Sequence, residues 1–250
     1  MLIFLFPLRE EHDVDLFFSS WRDLFHYPEG DLEKELHYLG AEDRKSIISS
    51  KDLSYKDINH YLDIIKPKIS LIEDYDKEKY KFQPENVLGD ENSIKSWENN
   101  QSKYHKLNRR HLEWSMSQYY KIYTANCLRN EYERISGVKY DVVIRLRPDL
   151  VFFDGVFNFR NSIFNDNTIN TYNQHSAHYP GVNDPLFWGT PESINKASST
   201  YIFLPKMFQD NIPLYGGENI LYLTCQKHGL SIHYVPKNYV DRHRSNILCN

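Results

Sequence analysis

The run "KYDVVIRLRPDLVFFD" at 139–154 constrains this chain more than any other stretch. It opens on β-branched apolar residues over a strand's length, the pattern of a strand buried on both faces. Arg145, Arg147 and Asp149 then bring charge to the C-terminal end of the run. Pro148 has no N–H to donate, so the ladder is expected to stop there. Open α/β sheets bind ligands just beyond the carboxyl ends of their strands. One short segment is therefore expected to supply both a core strand and a charged site at its tip. Arg145 and Arg147 are separated by Leu146 and so share one face of the strand. Guanidinium groups read phosphate bidentately, which makes both of them candidates for a phosphate clamp. The plainer use of either arginine is an ion pair with Asp149.

The bulk composition fits that picture. With 250 residues, 40% of them hydrophobic and 15% aromatic, the chain suits one α/β domain with a sizeable core. Rings with polar tips suit sugar-binding walls, although core packing is the simpler use for most of the 19 tyrosines and 4 tryptophans. A net charge of -4 gives no nucleic-acid footprint. Cys127, Cys225 and Cys249 have no metal-ligand spacing, and a sparse, odd set fits a reducing compartment. The opening "MLIFLF" lacks the basic flank of a signal peptide, and no run reaches transmembrane length. These features lead to the expectation of a cytoplasmic protein, with a membrane-peripheral position left open. The sequence holds no Gly-x-Ser-x-Gly, P-loop or Gly-x-Gly-x-x-Gly, which argues against a serine hydrolase, a P-loop NTPase and a dinucleotide oxidoreductase.

Taken in order, "VDLFF" at 14–18 has strand composition and runs into "SSW". Residues 31–40 read as a short helix stopped by Gly40. Ile58, Tyr61, Leu62 and Ile65 keep helical spacing, and "KISLIED" follows as a strand. Residues 76–111 are rich in Lys, Glu, Asn and Gln without a clear period, so they read as a polar, exposed and partly ordered insertion. Arg109, Arg110 and His111 within it read as solvated charge, with phosphate contact as the alternative.

Residues 112–136 give the strongest helix, with Met116, Tyr119, Tyr120, Tyr123, Cys127 and Leu128 as its apolar stripe and Gly137 at its end. Residues 158–183 carry many asparagines and read as a loop, its His175 and His178 exposed. "LFW" then reads as a short strand, and Gly189 permits a tight turn. Thr190, Pro191 and Glu192 open a helix as cap, first residue and early acidic group. Glu218 complements the start of a later helix, "ILYLTCQKHG", and "LSIHYVP" reads as a final strand.

Several of these pieces resemble a glycosyltransferase-like family found in polysaccharide-synthesis loci and in large DNA viruses. "YDVVIRLRPDL" is similar to that family's central motif, and "GVNDPLFWGTPE" to its second. "VDLFFSSW" resembles the family's second strand, and "SMSQYYKIYTAN" the helix before its central strand. The resemblance implies a GT-A-like (Rossmann-like) α/β fold: a mostly parallel central sheet flanked by helices, here one domain over 1–250. About a dozen residues precede "VDLFF", too few for a strand and its crossover helix. The family's usual first strand is accordingly expected to be missing or to pair differently.

The resemblance also implies transfer of a sugar from a nucleotide diphosphate-sugar donor to a glycan acceptor. On that reading Arg145, Arg147, Asp149, Asn183 and Arg242 are donor-binding candidates. Asp149 and Asp154 are the candidate ligands for Mn2+ or Mg2+, and Asp184 and Glu218 the candidate catalytic carboxylates. Ser115, Gln118 and Asn126 are further positions facing the ligand. The chemistry asks for cations on the leaving diphosphate and a carboxylate for the acceptor hydroxyl. The sequence lacks a plain Asp-x-Asp, which leaves metal dependence open. Two other readings stand beside transfer: a non-catalytic carbohydrate- or nucleotide-sugar-binding relative, and a sugar-nucleotide hydrolase using the same carboxylates on water.

Overall fold

A computed structural model describes residues 13–21, 62–63, 65–102, 109–147, 159–172, 181–214 and 216–235. Asp149, Asp154 and Arg242 lie outside the described residues, as do the expected helix at 31–40 and both loop histidines.

Strands β1 (Phe17–Trp21) and β2 (Ile69–Glu73) form a parallel pair, with Phe17 opposite Ile69 and Trp21 opposite Glu73. Four strands make a second sheet: β3 (Val143–Leu146), β4 (Thr168–Tyr172), β5 (Leu186–Gly189) and β6 (Ser231–Val235). Their order is β3-β5-β4-β6. The mostly parallel sheet expected from the sequence is not what these residues form. β5 runs antiparallel to both β3 and β4, and only β4 and β6 are parallel. The β4–β6 connection contains helices, which gives a parallel crossover the length it needs. The protein is thus mixed α/β, with parallel and antiparallel strands in one sheet.

Two further expectations change. The "VVIRL" strand was expected at the centre, but β3 is the edge of the described four-stranded sheet and all its residues are half-buried. The interior places go to β5 and β4, whose residues are all buried. β4 itself falls in the stretch read as a polar loop. Its Asn170 is fully buried, and the amide's polarity is matched locally: Oδ1 accepts from Ile163 N at 2.8 Å and Nδ2 donates to Ile163 O at 2.9 Å. A satisfied amide can occupy a sheet interior that an unsatisfied one could not.

The expected exposed insertion around 76–111 is also corrected. Its described part consists of α1 (Tyr75–Glu78), a 3-10 turn (Lys79–Phe82), α2 (Pro84–Leu88) and α3 (Glu91–Ser102). Phe82, Val87, Ile94 and Trp97 are buried, and Trp97 packs edge-on against Phe208 at 5.5 Å. These few large apolar groups, spaced along three short elements, anchor a segment whose other side chains are mostly polar. Arg109 ties its end down by hydrogen bonds to Glu91 and Glu98, so it is no free phosphate contact.

The long helix α4 (Arg109–Ser136) backs the parallel pair β1–β2. Leu112, Met116, Tyr119 and Ile122 supply its buried stripe. It ends where the sequence says it should: Gly137 sits at φ 74° and its N–H bonds Glu133 O at 3.0 Å. Helices α5 (Pro191–Ser198), α6 (Thr200–Gln209) and α7 (Gly217–Lys227) complete the layer. Thr190 caps α5 as expected, its hydroxyl accepting from Ser193 N at 3.3 Å. No helix among the described residues is long and apolar enough to cross a membrane.

Candidate functional site

The antiparallel pairing of β3 with β5 decides which charged groups meet. Arg145 stands opposite Phe187 and Leu146 opposite Leu186. Continuing that ladder, Arg147 N donates to Pro185 O at 2.9 Å, and the Arg145 guanidinium reaches the same carbonyl at 3.4 Å. Asp184 precedes Pro185, so the end of β3 and the carboxylate before β5 come to one edge.

The start of α7 closes the cluster from the other side. Val182 N donates to Glu218 O at 2.9 Å, which lays the 181–184 segment along the first turn of α7. Two glycines allow this approach. A Cβ at Gly181 would sit 3.0 Å from Glu218 Cβ, and one at Gly217 would sit 3.0 Å from Asp184 Oδ2. Helix α4 supplies the third wall through two adjacent residues. The Gln118 amide donates from Nε2 to Asp184 Oδ2, and Tyr119 donates from its hydroxyl to Gly217 O at 2.6 Å.

The electrostatics follow from this crowding. Asp184 is 5% exposed, and burial pushes its carboxyl above the ordinary range. The Glu218 charge adds to that rise, while Arg145, Arg147 and the Gln118 amide oppose it. Tyr119 is fully buried, and its phenol is pushed far up by burial, then by Asp184 and Glu218. Asp184 therefore feels a second carboxylate, two guanidiniums and the amide that bonds it. Such a set can hold an anionic group against the arginines and accept a proton on a carboxylate.

Of the residues expected from the sequence, the structure brings Arg145, Arg147 and Glu218 near enough to act on Asp184, with Asn183 in the same turn and buried. Asn126 turns away, bonding Asn195 and Arg129 on the α5 side. Tyr119 was expected only as core, yet its hydroxyl fixes the α7 backbone; the signal for this is general, since a buried tyrosine needs a partner for its O–H. As for Mn2+ or Mg2+, no group of three His, Cys, Asp or Glu stands together among the described residues. The Asp184–Glu218 pair alone is a poor match, because burial disfavours the charged form of Asp184 and a hard cation wants ionised oxygens. No protein family, curated protein or solved structure matches this chain.

Proposed function

We propose that this chain is a glycosyltransferase with a GT-A-like fold, moving a sugar from a nucleotide diphosphate-sugar to a glycan acceptor. The observation that carries the reading is the meeting of Asp184 with Arg145 and Arg147, residues that belong to the two motifs resembling such enzymes, beside Glu218 at the start of α7. In the reaction an acceptor oxygen bonds the anomeric carbon, and the bond from that carbon to the donor phosphate breaks. The electron pair leaves with the nucleoside diphosphate, whose charge Arg145 and Arg147 offset. The hydroxyl proton passes to a carboxylate. A carboxyl raised by burial is a stronger base than an ordinary one, which favours Asp184 for that task. Asn183 and Arg242 are proposed to orient the donor. If a metal takes part, Asp149 and Asp154 would be its ligands, and it would neutralise the diphosphate. The proposed setting is the cytoplasm, in keeping with few cysteines, of which the two described, Cys127 and Cys225, are free.

A non-catalytic sugar-binding relative is the second reading, and the small exposure of Asp184 favours it. One experiment separates the two. Purified protein is offered a panel of nucleotide diphosphate-sugars with Mn2+, with and without glycan acceptors, and released nucleoside diphosphate is measured. The enzyme reading expects acceptor-dependent release, lowered by about 10²–10⁴ in Asp184→Asn with the fold retained. Glycan binding without release from any donor would leave the binding reading, and release indifferent to acceptor would mean hydrolysis.

A further inference from the structure

Gln118 stands out among the groups around the carboxylates because its side chain is an uncharged amide, comes from α4, and touches only one oxygen of Asp184. Its Nε2 donates to Oδ2, while Oδ1 makes no hydrogen bond among the described residues. An amide N–H can donate but cannot accept, so the oxygen it holds is kept in its unprotonated role. The two oxygens of one carboxyl are thereby made unequal. The neighbouring residue reinforces the arrangement. Tyr119 grips Gly217 O at 2.6 Å, and the missing side chain at Gly217 leaves room for both Asp184 Oδ2 and Gln118 Nε2. A Cβ there would lie 3.0 Å from the first and 3.7 Å from the second. The contact is therefore a fitted junction of α4, α7 and the turn before β5.

We propose that Gln118 is a positioning residue: its side-chain amide holds Asp184 Oδ2 and leaves Oδ1 as the atom that takes up and returns a proton. This assignment rests on the transferase reading for its purpose, but the unequal oxygens can be tested without turnover. Among the described residues, the groups that face Asp184 are Arg145 in β3 and Arg147 just after it, Glu218 from the first turn of α7, and Gln118 and Tyr119 from α4. Glu218 disfavours the charged carboxyl, the arginines favour it, and the Gln118 amide favours it through Oδ2 alone.

The test is a carboxyl-13C NMR titration of the full chain, with the Asp184 signal assigned by its loss in Asp184→Asn. Gln118→Met keeps the length of the side chain and removes the donor. Its Asp184 midpoint should rise by roughly one pH unit. Gln118→Glu replaces the donor with an acceptor and should raise the midpoint further. In the unsubstituted protein the Gln118 side-chain amide signal should move with the same midpoint, which needs no variant to fold. An unchanged midpoint in both variants, or a Gln118 signal indifferent to the Asp184 titration, overturns the proposal. Where a donor is turned over, the acid limb of kcat/KM should shift with the NMR midpoint while donor KM holds. Absent turnover in the unsubstituted protein would count against the transferase reading and leave the titration result standing.

Discussion

The two sheets lean on different helices, β1 and β2 on α4 and the four-stranded sheet on α5 and α7, and they are held there by different physics. In the four-stranded sheet, β4 and β5 are buried along their whole length. Trp188 is fully buried, packs on Tyr172 at 5.2 Å and donates its indole N–H to Ser162 Oγ at 2.9 Å. In the parallel pair every residue of β1 is half-buried, and polar ties do more of the holding. Ser19 and Thr124 share a hydrogen bond of 2.7 Å, and Trp21 donates to Ser117 Oγ at 2.9 Å. Glu73 accepts from Tyr120 at 2.8 Å and from Lys121 at 2.6 Å, with the Lys121 ammonium 3.7 Å from the Trp21 ring centroid. One region rests on excluded water, the other on a web of charges and rings at its rim. Their responses to substitution and to pH should therefore differ.

The sharpest break of this contrast is Trp188→Ala. It removes a wholly buried ring and should cost about 3–5 kcal/mol, read as a lower denaturant midpoint. A loss under about 1 kcal/mol would mean the sheet interior is not the stabilising core. Next in size is Glu73→Gln, which removes the charge between Lys121 and Tyr120. Both side chains of the ion pair are mostly covered, at 11% and 17% exposure, so about 1–3 kcal/mol is expected. Hydrogen exchange should quicken in β1 and β2 and stay slow in β4 and β5. Equal acceleration in all four would make the two regions one cooperative unit.

The smallest effect is one of pH. His228, after α7, shares a 2.9 Å hydrogen bond with Ser199, and burial holds its ring below the ordinary 6.5, with Lys227 and Lys196 adding to the shift. The fold therefore favours the neutral ring. That stabilisation is complete above the unfolded value of 6.5 and is lost as pH falls through the depressed folded value. Thermal melts of the unsubstituted protein should decline over that acid range more steeply than those of His228→Gln. Parallel curves would remove His228 from the account.

What the sequence made legible was local. The helix at 112–136, its glycine stop, the Thr190-Pro191 cap and the "LFW" strand depend on near neighbours, and all appear within a few residues of expectation. Strand β4 was hidden because Asn170 looks like loop chemistry until its partner Ile163 is in place. The 75–102 helices were hidden because four buried apolar residues are too few to set a visible period among so many polar ones. Antiparallel pairing of β3 and β5 could not be read from either strand alone, yet it is what carries Asp184 to the arginines. Asp184 was visible by motif and Glu218 as the acidic residue at the start of its helix. The contact of Asp184 with Gln118 was not, because it depends on how a helix is turned about its own axis.

That last dependence has an outcome for how this chain can vary. Five consecutive residues of α4, Ser117 to Lys121, each bond a different or opposing element: Trp21, Asp184, Gly217 and, twice, Glu73. Adding or deleting a single residue within that turn would rotate everything beyond it by roughly 100° and slide it about 1.5 Å. Every one of those grips downstream of the edit would then be lost together. Length drift in this protein should accordingly settle in its connecting loops and spare the middle of α4, where one codon outweighs many substitutions.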